Sequence, residues 1–168
     1  MRWVAVVIIF GLCAGAQAKG PAKPTTAAER AVFLKMVEHL PHKGEFFTPE
    51  AVQKAAPQIA VLLALSEQDL KQKDLYPFLA LSGQLCERRE YRQYGVEHFS
   101  DIAHPEIRLS WAAILFDRQP PVSVEIVTYL RQALETEKEA NLLSEIMGPE
   151  FAEFKKRVAQ YKTPMKSR

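Results

Sequence analysis

Cysteine is almost absent from this chain: its 168 residues contain two, Cys13 and Cys86. If Cys13 belongs to a leader that is removed, Cys86 alone remains, and no intramolecular disulfide can form even in an oxidising compartment. An excess of one charge is missing too. Lys and Arg number 22 against 20 Asp and Glu, a net +2, so nothing in the balance directs the chain to nucleic acid. Alternating β-branched runs bounded by turn signals do not occur, which argues against a sheet. Glycine is sparse at 7 residues, and no glycine-rich phosphate loop, G-x-S-x-G elbow or HExxH pattern is spelled anywhere. These absences disfavour an enzyme, and they imply no cofactor.

Long apolar runs are also missing, with one exception. Trp3 to Cys13 is continuously apolar, preceded by Met1 and Arg2 and followed by Ala16-Gln17-Ala18. A charged start, a hydrophobic stretch and an A-x-A site in that order predict an export signal over 1–18, cut after Ala18. The run is about half the ~20 residues a membrane-crossing helix needs. A lipoprotein cut before Cys13 fits less well, because bulky Leu12 stands where such sites carry a small residue. The expected product begins at Lys19, is soluble and keeps no integral membrane segment. It works in a bacterial periplasm or is secreted. Without Arg2 its net charge is close to +1.

Residues 19–26, Lys-Gly-Pro-Ala-Lys-Pro-Thr-Thr, offer nothing to bury and predict a flexible lead-in. A single helical domain is expected over 27–161, with 162–168 as a flexible tail. Within it, apolar residues recur at three- and four-residue steps. Phe33, Met36, Val37 and Leu40 form one face of a first helix. Thr48-Pro49-Glu50 opens a second, running to about Leu65 with a kink at Pro57. Asp74 with Pro77 opens a third, to about Glu87. The next is expected from about Arg89 to Ala103, with Val96, Phe99, Ile102 and Ala103 inward. His104-Pro105-Glu106 starts a helix apolar in almost every direction, the expected centre of the core. After Pro120-Pro121, Ile126, Val127, Leu130, Ala133 and Leu134 face one side of an amphipathic helix, and Glu125, Thr128, Arg131, Gln132 and Glu135 the other. Two shorter helices, about 137–147 and 149–161, meet at Gly148-Pro149.

Pairing neighbours gives four helical hairpins, 27–65, 74–103, 105–136 and 137–161, and units of this size bury their apolar faces by stacking. Between His104 and Leu134, the order Ile107-Arg108, Ala112-Ala113, Leu115, a break, then Leu130 and Leu134 resembles a short HEAT-type repeat. That resemblance covers one repeat, and Trp111 departs from it, standing where such repeats usually carry a small residue. The preceding stretch, with Leu79, Gly83, Cys86, Gly95, Phe99 and Ile102, is similar to a degenerate tetratricopeptide unit. The HEAT-like form is preferred. Either resemblance implies an all-α fold of stacked hairpins, a short α-solenoid, holding a peptide or protein on a curved helical surface.

Two histidine groups carry possible metal chemistry. His98, Asp101 and His104 are three steps apart with Glu97 alongside, and three such ligands with one open position would suit a catalytic zinc. Glu38-His39 with His42 is the weaker set. In both, the histidines are equally explained as polar residues at helix ends. Cys86 has Arg88 and Arg89 nearby, which would favour a thiolate, but Glu87 and Glu90 are as close and no histidine is placed by sequence to act as a base.

Tyr91, Tyr94 and His98, at i, i+3 and i+7, form the expected contact stripe for a protein or peptide partner, since tyrosine supplies both area and a polar tip. The plainer alternative is that these rings cover the next hairpin. Lys155, Lys156, Arg157, Lys162, Lys166 and Arg168 concentrate positive charge near the C-terminus, suited to an anionic envelope surface or simply to solvation. The expected function is therefore an exported binding or scaffold module. The alternatives are a metal-dependent hydrolase using His98, Asp101 and His104, and an envelope-associated protein held by its basic C-terminus.

Overall fold

The computed structural model describes residues 25–44, 46–71, 75–118 and 122–162. The expected leader, nearly all of the lead-in, Asp74, Pro120-Pro121 and the tail beyond Lys162 lie outside the described residues. What is described is an all-α domain with one very short strand pair.

Helix α1 covers Ala27–Glu38 and starts at a capping box: the Thr26 hydroxyl accepts from Glu29 N–H, and the Glu29 carboxylate accepts from Thr26 N–H at 2.7 Å. Phe33, Val37 and Leu40 are buried as expected, with Met36 half-buried beside them. His42–Lys43 (β1) and Phe46–Phe47 (β2) then pair antiparallel, a feature the helical period does not signal. Gly44, at the start of the two-residue loop between them, has φ +66°, where a Cβ would be strained.

The expected kinked helix is two helices, α2 (Pro49–Ala55) and α3 (Ile59–Ala64), joined by a 3₁₀ turn at Ala56–Gln58. Pro57 lacks the N–H that would continue the ladder, so the tighter turn interrupts the α-helical bonding at the place where the kink is expected. Asp69 closes this region by accepting from Ser66 and pairing with Arg30 of α1 at 3.0 Å.

Helix α4 (Tyr76–Cys86) has Pro77 in its first turn. The predicted helix to Ala103 stops early: α5 is Arg89–Glu97, followed by a 3₁₀ turn at Phe99–Asp101. Ala103 faces solvent rather than the core, and its N–H donates to Leu63 O at 2.9 Å, so a tertiary bond replaces the next helical one. Gly95 turns inward instead. A Cβ there would lie 2.2 Å from the Trp111 ring, so the absence of a side chain on α5 is what gives the tryptophan of the next helix its room.

Helix α6 (Pro105–Arg118) is the core helix. Ile107, Trp111, Ala112, Ala113 and Leu115 are fully buried. Helix α7 (Val124–Glu135) buries Ile126, Val127, Leu130 and Ala133 and exposes its polar side, as its period requires, with Leu134 half-buried. Helices α8 (Glu137–Met147) and α9 (Phe151–Gln160) complete the described chain. Phe154 and Val158 bury α9 against the core, where Phe154 meets Phe116 edge-on at 5.5 Å. Arg131 of α7 donates to the carbonyls of Val158, Ala159 and Tyr161, capping the end of α9. The main contacts join helices adjacent or next but one in the chain: α4 packs on α6, α6 on α8, and α7 on α9.

Candidate interaction surface

The expected stripe is only partly available for contact. Tyr91 and Tyr94 are half-buried against the core, and His98 is 6% exposed. Tyr94 stacks on His98 with ring centroids 4.3 Å apart, and His98 Nδ1 meets Asp101 Oδ2 at 3.0 Å. Burial raises the Tyr94 hydroxyl above its ordinary pKa, and the Asp101 charge adds to it. These side chains chiefly serve the packing of α5.

The metal set is not assembled. His98 and Asp101 pair, but His104 Nδ1 is occupied as an acceptor for Glu106 N–H at 3.3 Å, capping the start of α6. Burial holds the His104 imidazole below its usual pKa, outweighing the pull of Glu106 and Glu67. Among the described residues no three His, Cys, Asp or Glu side chains are grouped to hold a metal. The other set is apart as well: His39 Nδ1 faces Lys35 O at 2.7 Å, and His42 stacks on Phe47.

Cys86 is fully buried. Burial pushes its thiol well above the ordinary value, and the opposing pull of Arg92 is smaller, so the thiolate is disfavoured. At the C-terminal end, Lys155 lies over the Phe151 ring, Lys156 is 4.0 Å from Glu153, and Arg157 pairs with Asp117 at 2.6 Å. Much of the described basic cluster thus has partners within the chain.

A different surface is open. Helices α4, α6 and α8 run parallel, and a groove lies at each end of the layer they form. Their C-terminal ends line one of about 620 Å³, with Gly83, Ile114, Ile146 and Met147 among its apolar floor and Phe46 at its rim. Their N-terminal ends line one of about 420 Å³, with Leu79, Leu109 and Leu142 as apolar floor and Tyr76 at its rim. Phe46 and Tyr76 are among the most exposed large apolar side chains described, at 60% and 57%. Both grooves open on one face, because Tyr76, Ala80 and Gly83 of α4, and Lys138, Leu142 and Glu145 of α8, recur at three- and four-residue steps.

The hairpin forms a wall of the larger groove. Gln84 of α4 fixes it by accepting from Phe47 N–H and donating to Phe47 C=O, each at 2.9 Å. No histidine lines either groove among the described residues. No described helix is long and apolar enough to cross a membrane. Comparison of the chain with protein-family models, curated proteins and solved structures finds no match.

Proposed function

We propose that this chain is an exported helical-repeat module that holds a protein or peptide partner on the face made by α4, α6 and α8. The observation that carries it is the larger groove: an apolar floor contributed by helices distant in sequence, left open beside an exposed phenylalanine. Concave apolar surface with a polar rim is where partners gain most from desolvation. The contacts between next-but-one helices fit hairpins stacked in chain order, the architecture of helical-repeat binders. Export is supported by Arg2, the apolar run after it and Ala16-Gln17-Ala18.

A photo-cross-linking residue at Ile146, in the groove, is compared in the producing cells with one at Thr128, on the outer side of α7. Position 146 gives a discrete adduct and position 128 does not, and the recovered protein starts at Lys19. Equal adducts from both positions, or none from 146, would reject the face. A retained leader would reject export.

A further inference from the structure

We infer that the occupant of this face is a cationic, amphipathic peptide segment: lysine or arginine side chains alternating with apolar ones. The inference rests on the module reading above and adds the partner's chemistry. Its first support is charge. The two grooves are lined by six acidic side chains and two basic ones, Arg118 and Lys138. Both basic groups are already matched within the chain, Arg118 to Asp117 at 3.3 Å and Lys138 to Glu106 at 3.2 Å. Asp117 is met a second time by Arg157 at 2.6 Å. Glu87 and Glu150 at the larger groove, and Glu139 and Glu145 at the smaller, keep the face negative.

The second support is the direction of the helices. Cys86, Arg118 and Met147 end α4, α6 and α8, and all three line the larger groove. Helix C-termini present partial negative charge and carbonyl acceptors, so three ends meeting at one groove favour a cation there. Arg92 satisfies part of this at α4 by donating to Cys86 C=O and Glu87 C=O. Ile114, Ile146 and Met147 offer an apolar bed for the methylene stem of a lysine or arginine, and the exposed Phe46 ring offers a face to its charge.

The third support is length, which selects a peptide over a small cation. Glu106 and Asp117, one in each groove, are eleven residues apart on α6, about 17 Å at 1.5 Å per residue. Five or six residues of extended chain span that distance.

The test uses the purified protein and fluorescence anisotropy with three probes: an octapeptide alternating lysine and leucine, its counterpart alternating glutamate and leucine, and labelled spermine. The lysine–leucine peptide binds at least tenfold more tightly than either other probe, and added salt weakens it. Glu87→Lys with Glu150→Lys, two exposed positions, weakens it at least tenfold while the melting temperature holds. Gly83→Leu, whose side chain projects into the groove, abolishes it.

Equal binding of the two peptides, or indifference to the double charge reversal, overturns the cationic preference. Spermine binding as tightly as the peptide overturns the peptide. Glutamate–leucine binding that Gly83→Leu abolishes keeps the groove as a binding site and rejects only its charge preference. No binding by any probe, together with no adduct from position 146, rejects both readings.

Discussion

Two glycines show how much a single Cβ decides here. Gly83 is inside α4, and a Cβ on it meets Ile114 Cδ1 at 3.8 Å, an ordinary contact. Gly83→Ala should therefore stabilise the protein by about 0.5–1 kcal/mol, the helical advantage of alanine over glycine. Gly95→Ala drives a methyl group into the Trp111 ring and should cost about 1–3 kcal/mol as overpacking, less the same helical gain. Urea unfolding of the two variants checks the pair, which should move in opposite directions. Both glycines stand out in the sequence within the tetratricopeptide-like stretch, but their opposite consequences do not. The difference is that Gly95 faces the tryptophan of the core helix, whereas a Cβ on Gly83 would make only an ordinary contact with Ile114. His98, Asp101 and His104 are a related case, since the sequence allows them either as ligands or as polar residues at helix ends. Their spacing suits a ligand set, yet His104 accepts from the Glu106 N–H, in keeping with the helix start that His104-Pro105-Glu106 spells.

At the scale of elements, legibility followed how one-sided each burial pattern is. Helix α7 buries one stripe and solvates the other, so its sequence gives its position almost residue by residue. The segment after α5 carries Phe99 and Ile102 at helical spacing too, but there the pairing of Ala103 with Leu63 outcompetes the helical ladder. Local period cannot register a partner forty residues away. The strand pair is the same case, since two residues per strand is too short for alternation to appear. Its stability depends on Gln84, which supplies Phe47 with the two backbone bonds that a third strand would otherwise provide. Gln84→Ala leaves both groups unmet beside a buried phenylalanine and should cost about 1–3 kcal/mol. Limited proteolysis should show faster cleavage after Lys43 in that variant, with the rest of the chain protected. Unchanged cleavage would mean that the hairpin holds without the clamp.

For the whole molecule, the all-α class and the burial of α6 followed from composition and period, whereas the binding face did not. Phe46, Gly83, Ile114 and Ile146 belong to four elements and share no pattern along the chain. They converge because α4, α6 and α8 pack side by side, and tertiary arrangement of that kind has no local signature. The sequence offers Tyr91, Tyr94 and His98 either as a contact stripe or as cover for the next hairpin, and their spacing on one helix does not say how exposed they are. The two surfaces can be separated in one measurement. Amide NMR of the isotope-labelled protein, titrated with the lysine–leucine and glutamate–leucine octapeptides in turn, should show the shifts of whichever binds concentrated at Ala80, Gly83, Ile114 and Ile146. Shifts concentrated at Tyr91, Tyr94 and His98, or spread without preference over the domain, would contradict the account.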